Sequence, residues 1–546
     1  MPETILCSRC QKSTFTQRVD LNSTDMHLKN LSEADPFALD TQTVNEMILL
    51  CDMDQEDYQA EIAHLQSRIR FIQEQQTRLR VCKARLRSLT CPVRKLPNEI
   101  LTSIFDYICE WNVLQVPSHE LTSPIITYLP ALSLSSTCTR WRSVAKSSPC
   151  LWSRIKLEIT SSKATTLNAF IATINLFLER SGQYPLSLSL VISGRPQEQS
   201  PLVLELLMRH CHRWRTFQYI SGWRISYFLK YEPTRHFAIL ESLDICSSGY
   251  NDPMELNIFR NASQLREIVI HGLEPQSSHI DLPFSQFTNI DINACGKVDD
   301  ILHRCPNIIS LQLRDSYDSY DPWWSIFLPH ITLNAVEAIT VVQDRHSLCA
   351  ETLTSFTFPT LHELRLLGNP DHELHKKEKW PQLFNAFLSR SSCRITTLVI
   401  SAVMTSDADL VSVLQLLPTL VTFEISDHTI PRSSPITSNF ISSLNGSAQS
   451  TPITSSHTPL IPKLRYLVFD FGGTNFDDMA FVDMISSRSR FPRAPFAETE
   501  EGVDCLRSVV MRFRAREVDL TVYTPLQILD RIGLRVVVRD MNGTII

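Results

Sequence analysis

The sequence predicts an α/β chain in which a helical N-terminal stretch leads into a solenoid of parallel strands. Two observations carry this. A six-position pattern, apolar-x-x-apolar-x-apolar, recurs at Leu240-Leu243-Ile245, Leu265-Ile268-Ile270, Phe287-Ile290-Ile292 and Ile308-Leu311-Leu313. It continues at Val336-Ile339-Val341, Leu361-Leu364-Leu366, Ile395-Leu398-Ile400, Leu420-Phe423-Ile425 and Leu464-Leu467-Phe469, with Trp214-Phe217-Tyr219 and Leu506-Val509-Met511 as weaker outer members. Successive starts from 214 to 420 lie 21 to 34 residues apart, the period of a coil holding one short strand and its return. Upstream, apolar residues instead recur at helical spacing: a heptad from Tyr58 to Leu86, then a stripe at Ile100, Leu101, Ile104 and Phe105.

Composition narrows the class. A chain of 546 residues is too long for one ordinary core. With 43% hydrophobic and 20% charged residues it reads as soluble and globular. A net charge of −6 gives no bulk case for nucleic acid or an acidic membrane. No run approaches the ~20 apolar residues that span a bilayer, and Met1 to Asn30 lack the apolar core of a secretory signal. Fifteen cysteines, an odd number without a framework, suit reduced thiols in a cytoplasmic or nuclear setting.

In chain order, residues 1–43 read as weakly ordered. They contain Cys7-Ser8-Arg9-Cys10, a two-residue gap that suits a zinc knuckle, but no second pair supplies the other two ligands. Residues 44–90 read as one long helix. Tyr58, Ile62, Leu65, Ile69, Ile72, Leu79 and Leu86 fall on alternating four- and three-residue steps, with Gln76 and Lys83 at intervening seam positions. Acidic Asp52, Asp54, Glu56, Asp57 and Glu61 open it and basic Arg78, Arg80, Lys83, Arg85 and Arg87 close it, which complements a helix dipole. The pattern permits self-association as a coiled coil through 58–89, and equally a helix folded back on its own domain.

Residues 91–157 form two helical blocks. In the first, Leu96-Pro97 opens a helix, because proline needs no amide donor there and its φ is already helical. Glu99 sits in the positive first turn. The second block is Cys138-Thr139-Arg140-Trp141-Arg142-Ser143-Val144-Ala145, closed by Pro149-Cys150-Leu151-Trp152. Between them Glu110 to Pro130 reads as a long loop with prolines at 117, 124 and 130, and loop closure grows only slowly with such length. Residues 158–546 are the repeats. Ser426 to Pro462 interrupt them, a Ser/Thr/Pro-rich stretch that reads as a flexible excursion with little to fill a core, carrying Ser434-Pro435, Thr451-Pro452 and Thr458-Pro459 as candidate phosphorylation sites.

The paired blocks resemble an F-box, similar to the F-box-like proteins of fungi of the basidiomycete type, in which long insertions are familiar. The resemblance implies a three-helix module that binds a Skp-family adaptor, and through it a cullin. Carried over by residue, Leu96, Pro97, Ile100, Leu101 and Ile104 would face the adaptor, while Phe105, Trp141 and Trp152 would form the module's core. The repeat period resembles the leucine-rich repeat. Leu361 to Asn369 match its full pattern, asparagine included, and the other units lack that asparagine. Proline-led approaches recur just before strands: Cys305-Pro306-Asn307, Phe358-Pro359-Thr360, Leu417-Pro418-Thr419 and Ile461-Pro462-Lys463. A leucine-rich solenoid implies a concave parallel sheet whose surface would include Glu267, Asn289, Asp291, Gln312, Arg314, Glu363, Arg365, Thr397, Thr422, Glu424 and Tyr466. Its mixed charges suit an unknown protein substrate rather than phosphate or nucleic acid.

Together the resemblances imply a non-catalytic substrate receptor of a Skp-cullin-F-box ubiquitin ligase, with no cofactor and no metal. The alternative is a repeat-based interaction scaffold acting outside any ligase. A remote rival comes from Asp470-Phe471-Gly472-Gly473-Thr474-Asn475, which resembles the phosphate-binding hairpin of sugar kinases of the actin-like ATPase superfamily. Only 71 residues follow it, too few for two such lobes. No G-x-S-x-G elbow, Walker loop or H-E-x-x-H helix appears. Adjacent Cys211-His212 diverge on any helix, and His372 and His375 lie in a charged stretch with Lys376 and Lys377. Trp323-Trp324 suit core filling better than a ligand anchor.

Overall fold

The computed structural model describes residues 17–32, 40–115, 128–159, 167–194, 199–223, 225, 236–251, 253–273, 280–293, 298–315, 330–344, 347–369, 379–403, 406–427, 434–446, 459–489 and 504–544. The chain forms two compact units, Met1–Ile100 and Leu101–Ile546. Cys7, Cys10, Trp323, Trp324, His372 and His375 lie outside the described residues, as do Thr451 and Thr458.

In the first unit, α1 (Leu21–Ser32) occupies part of the stretch expected to be weakly ordered. The long helix expected over 44–90 is α2 (Thr41–Leu89), 49 residues started by Asp40, whose carboxylate accepts the Gln42 amide at 3.1 Å. Its one buried residue is Asp54. That carboxylate accepts the backbone N–H groups of Arg18 and Val19 and the Arg18 guanidinium, each at 2.9 Å. Arg18 also bridges Asp57 at 2.7 Å, and the Gln17 amide donates to the Tyr58 hydroxyl at 2.5 Å. The acidic opening of α2 therefore holds the segment before α1 by hydrogen bonds to charge. A short 3-10 turn (Pro92–Lys95) follows.

Helix α3 spans Asn98–Ile108, and the second unit begins within it at Leu101. Next come β1 (Asn112–Gln115), α4 (Pro130–Thr137), α5 (Thr139–Lys146), a 3-10 turn (Pro149–Trp152) and β2 (Arg154–Ile159). Strands and return segments then alternate: α6 (Leu167–Arg180), β3 (Leu186–Ile192), α7 (Gln199–Met208), β4 (Trp214–Ser221), β5 (Ser242–Asn251), β6 (Glu267–Leu273), β7 (Asn289–Asn293), α8 (Val298–His303) and β8 (Ser310–Arg314). The C-terminal half continues with β9 (Ile331–Thr332), β10 (Ala338–Gln343), α9 (Leu348–Ser355), β11 (Phe356–Thr357), β12 (Glu363–Gly368), α10 (Trp380–Ser391), β13 (Thr397–Ser401), α11 (Asp407–Gln415), β14 (Thr422–Ser426) and α12 (Ser438–Ser443). It ends with β15 (Tyr466–Phe471), α13 (Asp478–Arg488), β16 (Ser508–Phe513), α14 (Thr524–Arg531), β17 (Arg535–Asp540) and β18 (Gly543–Thr544).

Sixteen of these strands form one sheet in chain order, β1 to β8, then β10, then β12 to β18. Every neighbouring pair is parallel except the closing β17–β18 hairpin. Strands β9 and β11 make a separate parallel pair. One strand per turn of chain, each beside its predecessor, is a solenoid-like α/β fold.

The apolar pattern explains the packing. Its last two positions stack in continuous buried rows: Leu243, Ile268, Ile290, Leu311, Ile339, Leu364, Leu398, Phe423 and Leu467 in one, and Ile245, Ile270, Ile292, Leu313, Val341, Leu366, Ile400, Ile425 and Phe469 in the other. Alternate residues lie on the opposite, solvent-facing side, as a period of two requires. The proline-led approaches have a further reason. The residue after proline donates its side chain to a carbonyl of the preceding coil: Asn307 to Ser285 at 2.6 Å, Thr360 to Val336 at 2.9 Å and Thr419 to Ile395 at 2.8 Å. Asp344 stands at the position of the repeat asparagine, level with Asn369, and Asp315 and Asp427 stand one residue earlier in their units. Asp315, Asp344 and Asp427 are buried at the strand ends, and Asn369 donates to Asp344.

Three expectations change. The sheet starts about a hundred residues before Trp214, because β1, β2 and β3 are its first strands. Trp152-Ile155-Leu157 has the repeat spacing, yet Trp152 reads equally well as the close of a helical block. Glu110 to Pro130, expected as a loop, contains β1, paired in parallel with β2. The excursion of 426–462 is not bare of core residues either. Ile436, Phe440, Ile441 and Leu444 are buried, and Phe440 packs between Phe423 and Phe469 at ring distances of 6.4 and 6.1 Å. Arg488 clamps this segment from α13. Only 4% exposed, it donates to the carbonyls of Leu444, Leu460 and Ile461, the last at 3.0 Å, and burial pushes its pKa down to about 10.

Replacing Arg488 by methionine keeps the volume but strands three buried carbonyls. The expected cost is about 3 kcal/mol, read as a lower thermal midpoint together with faster amide exchange in α12 and at Leu464. Unchanged exchange there would show that the guanidinium clamp is dispensable.

Candidate functional site

Helix α3 is built with two faces. Leu101 and Phe105 are buried on one, joined by Cys109 just past its end, while Ile104, Tyr107 and Ile108 are exposed on the other, Tyr107 at 88%. Ile100, in the first turn of the same helix, is exposed as well. Pro97 immediately precedes the helix and is exposed, and Leu96 is half-buried. The sequence therefore misassigned Leu101: expected on a docking face, it is 1% exposed and belongs to the core. Adjacent helix residues point about 100° apart, so a packed neighbour on one side buries Leu101 and leaves Ile100 exposed.

The core of this block is aromatic and hydrogen-bonded. Phe105 meets the half-buried Trp141 edge-on, with centroids 4.9 Å apart. Trp152 is fully buried, and its indole N–H donates to the Ala145 carbonyl at 2.7 Å. Cys138 caps α5 by accepting the Trp141 amide at 3.4 Å, and Arg142 Nε donates to the Ser135 carbonyl at 3.0 Å. Burial pushes the Cys109 thiol up to about 12, so it is a packed, unreactive group.

Asn112 joins this block to the sheet. Fully buried, it donates to the carbonyls of Leu151 at 2.8 Å and Arg154 at 3.1 Å, and accepts the Ala131 amide at 3.1 Å. One side chain thus ties β1 to the start of α4, the 3-10 turn and β2. No sequence signal marked it, since a lone asparagine after a tryptophan fits any turn. Trp152 continues the link by packing on Phe177 of α6 at 5.1 Å, with the Arg180 guanidinium over its ring at 4.3 Å. Residues 93–158 match the family model described as F-box-like.

These residues are an F-box-like domain. Modules of this family are typically non-catalytic adaptors that bind Skp-type proteins. No curated protein matches the chain.

The sheet's solvent-facing side is the second candidate surface. Register places Asp291, Gln312, Thr340, Arg365, Val399, Glu424, Val468, Val510 and Val537 in one row across nine strands. Four residues expected on a recognition face, Asp291, Gln312, Arg365 and Glu424, therefore share that row. Glu363, Thr397, Thr422 and Tyr466 share the row before it, and Arg314 lies in the row after. Much of this charge is internally paired. Arg314 makes a forked contact with Asp291 at 2.8 to 3.1 Å, which raises its pKa, and Arg365 bridges Glu363 at 2.5 Å. Toward the C-terminus the face changes: Val468, Val510 and Val537 are flanked by exposed Tyr466, Arg512, Arg535 and Arg539.

The kinase-like hairpin is tied into this sheet. The Gly472 amide donates to the Asp427 carboxylate at 2.7 Å, and Arg514 bridges Asp427 at 2.8 Å and Asp470 at 2.5 Å. A Cβ on Gly472 would lie 2.5 Å from the Arg514 guanidinium. Cys211 and His212 lie in a 3-10 turn before β4, where Cys211 is buried. Among the described residues no group of His, Cys, Asp or Glu could hold a metal, all cysteines are free thiols, and no helix is long and apolar enough to cross a membrane.

Asn112→Ala removes three hydrogen bonds from a buried site without opening a large cavity. Amide exchange in α4 and β1 should quicken by about 30-fold, equivalent to about 2 kcal/mol, with exchange beyond β5 unchanged. Protection equal to wild type in both regions would contradict this placement.

Proposed function

We propose that this chain is the substrate-receptor subunit of a Skp-cullin-F-box ubiquitin ligase. One observation carries the reading: an F-box-like domain at residues 93–158 runs without a linker into the first strands of a long parallel sheet. In this reading Ile100, Ile104, Tyr107 and Ile108 are the adaptor contact, with Leu96 and Pro97 at its margin. The three isoleucines on this helix, 40% to 48% exposed, would each gain on the order of 1 kcal/mol when a partner buries the remainder.

The coils read as degenerate leucine-rich repeats, with Leu361 to Asn369 the unit nearest the full pattern. The sheet's solvent-facing side is then the substrate platform. Its central charges are largely satisfied within the chain, so they contribute little free energy to binding. The C-terminal part offers unpaired apolar surface in Val468, Val510 and Val537, rimmed by Tyr466, Arg512, Arg535 and Arg539. That composition suits a substrate segment mixing apolar and acidic residues. No ubiquitin chemistry belongs to the chain in this reading. It acts by holding a substrate near a conjugating enzyme, in the cytoplasm or nucleus.

The experiment is adaptor capture. The full chain should co-purify with a Skp-type adaptor, and Ile104→Glu with Tyr107→Glu should weaken that complex at least about 100-fold. Both residues are exposed, so circular dichroism and the thermal midpoint should stay as in wild type. Adaptor binding that survives both substitutions refutes the proposed contact, and a wild-type chain that captures no adaptor refutes ligase membership.

A further inference from the structure

Helix α2 keeps its heptad stripe open. Within its unit, Ile62, Leu65, Ile69, Ile72, Leu79 and Leu86 are each between 45% and 69% exposed. In heptad notation, Ile62, Ile69, Gln76 and Lys83 occupy a, while Tyr58, Leu65, Ile72, Leu79 and Leu86 occupy d. Six large apolar side chains on one face of a 49-residue helix are more than a soluble surface ordinarily carries. Two copies of the stripe would bury roughly 1,200 Å² of apolar surface, at the threshold of a specific interface.

We propose that α2 pairs antiparallel with α2 of a second copy of this chain. The charge order decides the direction. Parallel pairing in register would set Lys83 against Lys83 and Gln76 against Gln76 in the seam. It would also lay the acidic cluster from Asp52 to Glu61 on its twin, and the basic cluster from Arg78 to Arg87 on its own. Antiparallel pairing faces each a residue with a d residue. With Ile69 opposite Ile72, Ile62 meets Leu79, Gln76 meets Leu65 and Lys83 meets Tyr58. In that register Glu61 lies level with Arg80, and Glu56 with Arg85, so acidic and basic ends attract. Among the described residues, the segment before α1 binds Asp54 and Asp57 and meets the stripe at the Tyr58 hydroxyl, while Ile62, Leu65, Ile69, Ile72, Leu79 and Leu86 stay exposed.

The test uses the full chain. Light scattering should give twice 62.4 kDa, and Ile69→Glu with Ile72→Glu should return the mass to a single chain with helix content unchanged. A zero-length carbodiimide cross-link, formed in a mixture of light and heavy isotope-labelled chains, should join Asp57 or Glu61 of one copy to Lys83 of the other. Along one straight helix Glu61 and Lys83 are about 33 Å apart, so that link cannot form within a helix. In a parallel dimer no carboxylate comes level with Lys83, since the nearest on α2 is Glu74. A monomer at tens of micromolar overturns the proposal, as does a dimer that survives the double substitution. A dimer without the cross-link overturns its direction.

Discussion

Everything in the second unit hangs on one constraint: a parallel strand can satisfy its backbone only from strands one coil before and one coil after. The ladder obeys this even ahead of the strands. Consecutive amides of many coils share one carbonyl of the preceding coil: Arg266 and Glu267 on Glu241, Thr288 and Asn289 on Arg266, His362 and Glu363 on Glu337, Arg465 and Tyr466 on Val421. Every coil is thereby positioned by its predecessor. Side chains after the prolines repeat the same tie, so the backbone and the apolar rows impose a single register.

Such a ladder needs ends. At its C-terminal edge β17 turns back into β18, an antiparallel hairpin that covers part of the last strand. At its N-terminal edge stands β1, four residues long and anchored through Asn112 to the helical block. The F-box-like domain thus works as a terminal cap for the sheet, and short edge strands held by neighbouring structure are how sheets avoid unwanted pairing. The sequence divides at 157 and the structure does not, because β1 and β2 belong to both parts.

Strands were legible where burial enforced a fixed spacing. The nine units from Leu240 to Phe469 each place a strand where the pattern puts it, since their apolar residues have one possible face. The features that escaped reading depend on partners distant in sequence. Asn112 is polar and isolated, and its meaning lies 19 to 42 residues away. Phe440 sits among serines and threonines whose composition masks a single core-filling turn. Leu101 and Ile100 differ only by helical phase, which a hydrophobic run does not reveal until the helix has a neighbour on one side. Arg488 and Arg514 look like surface charges in sequence, yet both serve backbone or carboxylate groups inside the coil stack. Charge pattern alone cannot distinguish an arginine that clamps carbonyls from one that meets a ligand.

The sharing of β1 and β2 also bears on mechanism. Helix α3 from Leu101 onward and the sheet belong to the same compact unit, with no linker between them. Phe105 of α3 packs on Trp141 of α5, and Trp152, hydrogen-bonded to the Ala145 carbonyl of α5, packs on Phe177 of α6. A receptor of the proposed kind would not search for its geometry by hinge motion, because opening these contacts would expose the buried rings of Phe105, Trp152 and Phe177. In the proposed reading, the position of a bound substrate relative to α3 would be fixed by how far along the sheet it binds. Each strand moves the site about 4.8 Å, so the valine row at β15 to β17 lies some dozen strands from β1, on the order of 60 Å. Within the proposed ligase, reach toward the conjugating enzyme would be set by strand number, and the place where the open face turns apolar and basic becomes the feature that selects it.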